Sequence, residues 1–174
     1  MNKKGFTLIE LLVVSSIFSV ILIALSGIFI SSLKAEQNIL GTKKILGETS
    51  YAMEYMTRAL RMAKKDKSGA CITAGKNYET SGGKTAITFI NSLQNDDCQK
   101  FYLQNGQLKY DTFLGTQNLT SPNVTIETLK FNVSGDTIGD NLQPFVTIYI
   151  EAKTNSTPAI KLQASVSQRN PDTH

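Results

Sequence analysis

Residues that could perform chemistry are few in this chain of 174 residues. The one histidine, His174, is the last residue, and we expect it in a frayed tail rather than in a catalytic Ser, His and Asp set. The two cysteines, Cys71 and Cys98, do not have the spacing of metal ligands. The sequence therefore predicts neither an enzyme nor a bound cofactor.

Glu10 lies beside an apolar stretch, where a charged side chain is energetically costly. Glu10 directly precedes residues 11–30, an apolar stretch without a charged side chain. A helix of this length spans about 30 Å, the thickness of the hydrocarbon core of a bilayer. A carboxylate near the bilayer interior costs about 2.5–3.5 kcal/mol on insertion scales, so it usually has a function and a partner. We interpret Glu10 as a functional residue of a membrane-spanning helix.

The residues that flank the apolar stretch leave two interpretations open. Lys3 and Lys4 precede it, so the positive-inside preference places this end in the cytoplasm and the rest of the chain outside. A cleaved secretory signal peptide is the alternative, with Ala24 and Ser26 as small residues near a cleavage site. The stretch is longer than a usual signal core of about 7–15 residues, which favours the membrane helix.

The helical pattern continues beyond the apolar stretch. Apolar residues recur there at helical spacing, as one stripe along one face. The stripe consists of Ile39, Leu46, Met53, Met56, Leu60 and Ala63. Gly69 follows a run of lysines and is a typical residue just after a helix end. We predict one helix from Phe6 to about Lys67.

Four basic residues, Arg58, Arg61, Lys64 and Lys65, lie near the predicted end of this helix. Cations are stabilising at that end because of the helix dipole, and this is the favoured interpretation. A DNA-contacting patch is the alternative. Without Lys3 and Lys4 the net charge of +4 falls to +2, which is too small to indicate nucleic acid by itself.

The remainder of the chain has the alternating pattern of β-strands. Five runs rich in β-branched and aromatic residues predict strands, at residues 85–91, 100–112, 124–133, 144–153 and 159–167. Asn105 and Gly106 divide the second run and predict a tight hairpin. Short connections favour an antiparallel sheet, one face of which covers the apolar stripe of the helix. The predicted fold class is α+β.

Two further candidate sites each have two possible interpretations. Outside the cytoplasm, Cys71 and Cys98 are expected to form a disulfide, and two buried free thiols are the other possibility. Asp136 and Asp140 lie in a loop that contains glycine and could offer oxygen ligands to calcium. The ligand pattern is incomplete, so we favour a polar turn between two strands.

The first residues carry a resemblance to a known family. The segment "KKGFTLIELLVV" resembles the N-terminus of bacterial type IV pilins and of the pseudopilins of type II secretion. The resemblance implies that prepilin peptidase cuts after Gly5 on the cytoplasmic side and that Phe6 becomes the N-methylated first residue. It also implies that Glu10 acts in assembly. Since Glu10 lies one helical turn from Phe6, it could pair with the Phe6 amine of a neighbouring subunit.

The resemblance also implies an architecture and a location. Residues 1–5 would be a leader peptide, 6–33 a transmembrane or filament-core helix, 34–68 its amphipathic second half, and 69–174 a globular antiparallel β domain. The chain would cross the bacterial inner membrane once, with the globular domain outside the cytoplasm, and then enter an extracytoplasmic filament. Its partners would be prepilin peptidase and other pilin or pseudopilin subunits.

Two short segments indicate a subtype within this family. "YMTRALRMA" and "LQASVSQRN" resemble segments of the J-type minor pseudopilins and of the W-type minor pilins. The expected function is a structural subunit of a type IV pilus or a type II secretion pseudopilus. The alternative is a minor or tip pilin that binds DNA, a secreted substrate or a surface.

Overall fold

The computed structural model of the chain describes residues 5–136, 142–154 and 157–169. Within these ranges it contains one helix and nine strands. The helix α1 spans Leu8–Arg61. The strands are β1 (Ala63–Lys64), β2 (Glu79–Ser81), β3 (Ala86–Asn91), β4 (Asp97–Gln104), β5 (Gln107–Thr112), β6 (Gly115–Asn118), β7 (Thr125–Ser134), β8 (Phe145–Thr154) and β9 (Thr157–Ser167).

The chain divides into two compact units, Met1–Leu40 and Gly41–His174. Every described residue of the first unit is exposed. The N-terminal part of α1 contains an 18-residue window with a mean hydropathy of 2.7, so by length and composition this helix could cross a membrane. The apolar side chains of the first unit therefore have no core of their own to enter.

The second unit holds two antiparallel sheets. The larger has six strands in the order β1, β3, β4, β5, β6, with β2 also paired to β3. Ala63 of β1 lies opposite Asn91, whereas Glu79 of β2 lies opposite Thr88, so β1 and β2 share the same edge of β3. The smaller sheet has the order β7, β8, β9. The α+β class and the antiparallel pairing are confirmed, but the strands form two sheets where we expected one.

The hairpin predicted at Asn105 and Gly106 is confirmed. These two residues connect β4 to β5, and their φ angles of 53° and 71° are both positive, as a type I′ turn requires. The same turn also joins the two sheets, because the amide of Ile126 in β7 donates to the carbonyl of Gly106 over 2.8 Å. A turn that was predicted from local sequence thus also positions a distant strand.

The buried face of α1 differs in part from the predicted stripe. Met53, Met56 and Leu60 are buried as expected, whereas Ile39 and Leu46 are exposed, and Ala63 is buried in β1 rather than on the helix. The buried face continues toward the N-terminus through Ala52, Thr49 and Ile45 instead. A helix with 3.6 residues per turn drifts by about 20° per heptad, so steps of seven residues from Met53, at the border of this face, lead out to solvent.

The helix ends at Arg61, before the predicted end near Lys67. The next residues join the larger sheet as β1, which pairs with β3. The carbonyls exposed at the helix end are satisfied by other elements. Leu60 O accepts from the Tyr78 hydroxyl over 2.8 Å, and Met62 O accepts from the Ser92 amide over 3.1 Å. Tertiary hydrogen bonds, and not a glycine, therefore end this helix.

A pair of substitutions can test which residues form the buried face of α1. Leu60→Ala is expected to lower the free energy of unfolding by about 2–5 kcal/mol, because Leu60 is fully buried. Leu46→Ala is the control and should change it by less than about 0.5 kcal/mol, because this side chain is 48 % exposed. Chemical denaturation of the full chain in neutral detergent measures both values. Equal losses would contradict a buried face that includes Leu60 and excludes Leu46.

Candidate processing and assembly site

Thr7 and Glu10 form a reciprocal cap at the start of α1. The Glu10 amide donates to Thr7 Oγ1 over 3.3 Å, while the Thr7 amide and hydroxyl donate to Glu10 Oε2 over 3.4 and 3.3 Å. This arrangement is a capping box, in which two side chains satisfy free backbone donors at a helix start. Only Oε2 takes part, which leaves Oε1 for a further donor. The Thr-x-x-Glu spacing is visible in the sequence, but the cap was not among the sequence predictions.

Gly5 and Phe6 lie just before this cap. Phe6 is 78 % exposed. A Cβ added at Gly5 would meet no atom within 4 Å, so packing within the described chain does not require glycine at this position. Gly5, Phe6 and Glu10 lie on one exposed segment, and their roles in processing and assembly stay predictions.

The serine hydroxyls of the apolar segment are satisfied within their own helix. Ser19 Oγ donates to Ser15 O and Ser26 Oγ donates to Leu22 O, each over 2.8 Å. Ser15 and Ser16 donate in the same way to carbonyls three residues earlier. Such bonds allow a hydroxyl to enter hydrocarbon without a partner on another chain. The segment is therefore compatible with lipid before any assembly.

The disulfide expected between Cys71 and Cys98 is confirmed. Their Cα atoms lie 5.5 Å apart, and the bond closes a sequence separation of 27 residues. Cys98 belongs to β4, and Cys71 lies in the loop that follows β1. The bond thus ties this loop to the larger sheet.

The buried carboxylate of Asp66 holds the same loop in place through hydrogen bonds. Its side chain is only 1 % exposed and accepts hydrogen bonds from four backbone amides and one hydroxyl. The amide donors, at 2.7–3.1 Å, belong to Ser68, Gly69, Cys71 and Ile72. The Cys71 amide, followed by the Ile72 amide, holds the pKa of this carboxyl well below its usual value. Sequence reasoning missed Asp66 because its partners are backbone groups.

The candidate calcium loop is described only in part. The Asp136 carboxylate accepts from the Asn77 amide over 2.9 Å and from the Tyr78 amide over 3.2 Å. Asp140 lies outside the described residues. Among the residues that the structure describes, no three histidine, cysteine, aspartate or glutamate side chains form a group that could hold a metal ion. The favoured polar turn and the alternative calcium site at this loop both stay untested.

The four predicted cations do not form one helical patch. Arg58 and Arg61 lie in the last turn of α1, whereas Lys64 belongs to β1 and Lys65 follows it. Arg58 pairs with Glu54 on the exposed surface of the helix, and Lys64 pairs with Asp96. Such exposed pairs contribute little to stability, about 0–1 kcal/mol each.

Comparison with known proteins supports the interpretation of the N-terminus. Residues 1–26 match the family model of the prokaryotic N-terminal methylation motif. No curated protein matches the chain, and no solved structure does. The motif, together with one long apolar helix and antiparallel sheets, supports membership of the type IV pilin and pseudopilin family. The motif implies processing by prepilin peptidase and assembly with other pilins, and the family is structural rather than enzymatic.

The low pKa of Asp66 leads to a pH-dependent prediction. A carboxyl group with a depressed folded pKa stabilises the fold above its unfolded pKa, near 4, and this contribution is lost as the pH falls further. Asp66→Asn should therefore lower the midpoint of thermal unfolding at neutral pH, because an amide cannot accept at both positions. The difference in unfolding midpoint between this variant and the unmodified chain should become smaller as the pH falls from about 5 to about 2.

Asp96→Asn is the matched control for this measurement. Asp96 is exposed, it pairs with Lys64, and its backbone has a positive φ that asparagine tolerates. This variant should have nearly the same midpoint of thermal unfolding as the unmodified chain at every pH. A difference for Asp66→Asn that stays constant across the acidic range would contradict the proposed role of the Asp66 charge.

Proposed function

We propose that this chain is a structural subunit of a type IV pilus or of a type II secretion pseudopilus, assembled through the N-terminal part of α1. The observation that carries the proposal is a processing motif on a helix whose described residues before Gly41 are all exposed. Lipid covers such a surface before assembly, and the helices of neighbouring subunits cover it afterwards.

Cleavage after Gly5 would create a charged amine on Phe6. Glu10 lies one turn further along, and its Oε1 is not used by the capping box. The amine of a neighbouring subunit can donate to this oxygen, which removes two isolated charges from the apolar interior of a filament. This pairing would fix the axial step between subunits.

The division of the chain follows from the same proposal. Residues 1–5 are the leader, 6–33 the membrane or filament-core helix, 34–68 the second half of α1 with β1 and the residues that follow it, and 69–174 the rest of the globular part. Lys3 and Lys4 keep the leader in the cytoplasm, and a single crossing of the inner membrane places the globular part outside.

The minor-subunit subtype is proposed on the resemblance of two segments, which contact each other in the fold. The segment "YMTRALRMA" ends α1 and leads into β1, and the described part of "LQASVSQRN" forms the end of β9 and the two residues after it. The Arg169 amide of the second segment donates to the Arg61 carbonyl of the first over 2.8 Å. The two segments that resemble J-type and W-type minor subunits therefore form one local feature of the structure.

The proposed processing can be tested by mass analysis of the protein from its own cells. The expected product begins at Phe6, has lost residues 1–5 and carries one added methyl group on its N-terminus. Gly5→Val is expected to keep the leader, and it should not alter the fold because an added Cβ meets nothing within 4 Å. A product that begins at Gly27 would instead indicate a secretory signal peptide.

Three substitutions separate the charge of Glu10 from its capping role. Glu10→Gln keeps an acceptor for the cap but loses the charge, Glu10→Ala loses both, and Thr7→Ala loses only the cap. If the charge pairs with a neighbouring amine, both Glu10 variants should enter filaments about tenfold less than the unmodified chain. Thr7→Ala should enter near the normal level.

The measurement is the amount of subunit in filaments sheared from cells, relative to the amount in membranes. N-terminal mass analysis of each variant excludes a defect in cleavage as the cause. Normal assembly of Glu10→Gln combined with poor assembly of Thr7→Ala would assign Glu10 to helix capping and would contradict the pairing.

A further inference from the structure

Two neighbouring turns expose large apolar side chains at one end of the larger sheet. Leu93, between β3 and β4, is 72 % exposed, and Phe113 and Leu114, between β5 and β6, are 71 % and 74 % exposed. Antiparallel connectivity places both turns at the same end of the sheet. We call Leu93, Phe113 and Leu114 the apolar knuckle. Polar residues are usual at such turns, so three large apolar side chains need an explanation.

The backbone of the knuckle is held in place by hydrogen bonds. The Phe113 amide donates to the Asp97 carboxylate over 2.8 Å, and the Leu114 amide donates to Thr112 Oγ1 over 3.2 Å. The first bond connects the turn between β5 and β6 to the start of β4, next to the disulfide at Cys98. Apolar side chains on a fixed backbone lose little conformational freedom on binding, which favours recognition.

An open cavity with three arginines adjoins the knuckle. It has a volume of about 340 Å³ and is lined by Arg58, Arg61, Met62, Leu93 and Arg169. Leu93 belongs to both features, so the cavity and the knuckle form one continuous surface. The Arg169 amide bonds to the Arg61 carbonyl, which holds the two arginines together through the backbone. We call this feature the arginine pocket.

The arginines of the pocket differ in the ion pairs that they form with described residues. Arg58 pairs with Glu54. Within the described ranges, no carboxylate forms an ion pair with Arg61 or Arg169. Planar guanidinium groups bind carboxylates through two parallel hydrogen bonds, and arginine and aromatic side chains are enriched among the residues that dominate binding energy.

The charge around this surface favours a protein over a membrane or a nucleic acid. Glu54 pairs with Arg58 and Asp96 pairs with Lys64, so part of the positive charge of these residues is already compensated. Binding to anionic lipid usually takes clusters of about four to eight uncompensated cations. Nucleic-acid binding draws its affinity from the neutralisation of many phosphates. Apolar anchors beside a few arginines fit a protein segment that carries carboxylates.

We propose that the arginine pocket and the apolar knuckle together form a docking surface for an acidic segment of a partner protein. Carboxylates of that segment bind Arg61 and Arg169, and its apolar side chains cover Leu93, Phe113 and Leu114. The surface lies entirely within the second unit, so the proposal does not depend on processing or on assembly through α1.

A photo-crosslinking residue at position 93 tests the proposal in the cells that make the protein, with the full chain. We expect a covalent adduct with a protein, at a peptide that contains aspartate or glutamate. Arg61→Glu combined with Arg169→Glu should lower the adduct yield about tenfold. Exchange of the partner's carboxylate for arginine should restore the adduct with the double glutamate variant. This reciprocal exchange is the decisive result.

Matched variants separate docking from folding. Lys130→Glu changes an exposed cation on β7 and should leave the yield unchanged. Formation of the Cys71–Cys98 disulfide shows whether each variant has folded. If the double glutamate variant does not fold, the adduct yield of Arg61→Gln combined with Arg169→Gln is measured in its place. The proposal is overturned by adducts with lipid or nucleic acid, by the absence of an adduct, by a yield insensitive to the arginine changes, or by failure of the charge exchange.

Discussion

The carbonyl groups at the end of α1 impose the constraint on which the second unit depends. A helix that ends in a protein interior must satisfy its last carbonyls with partners from elsewhere. Leu60 O, Arg61 O and Met62 O accept from the Tyr78 hydroxyl, the Arg169 amide and the Ser92 amide. Tyr78 directly precedes β2, Ser92 follows β3 and Arg169 follows β9, so both sheets contribute to the same few atoms. The helix end thus fixes the position of segments that are far apart in sequence, and it also positions the arginine pocket.

Carboxylates play the corresponding role for the loops. Asp66 binds the amides of the loop that carries Cys71, and Asp136 binds the amides of Asn77 and Tyr78 just before β2. Glu48 on α1 accepts from the Ser121 amide over 3.0 Å and from its hydroxyl over 2.8 Å. Each acidic side chain satisfies backbone donors that lie outside any strand ladder, which is what an irregular segment near a core requires. An acidic residue in this sequence therefore indicates a loop anchor as readily as a site of chemistry.

Local patterns in the sequence predicted those parts of the structure that depend on local interactions. The hairpin at Asn105 needs only two residues with positive φ, and the long strands β7, β8 and β9 follow from alternation. The short strands β1, β2 and β6 were missed. β1 pairs with the distant strand β3, which also explains the early end of α1, whereas β2 and β6 pair across short turns but are too short and polar to show a strand pattern. At the processing and assembly site, Gly5, Phe6 and Glu10 were predicted by resemblance. Thr7 was visible as a capping pattern, but Asp66 was not predictable because five donors from a folded loop define its role.

The capping box lowers the cost of placing the Glu10 carboxylate in a membrane before assembly. An isolated carboxylate at this depth is costly, and hydrogen bonds from the Thr7 amide and hydroxyl to Oε2 reduce that cost while they complete the start of the helix. These bonds are long and involve neutral donors, so they stabilise the charge less than an amine would. On the proposed assembly, the amine of a neighbouring subunit reaches Oε1 without breaking the cap. The free-energy difference between a capped carboxylate and one that is capped and also paired would then favour the filament over the membrane.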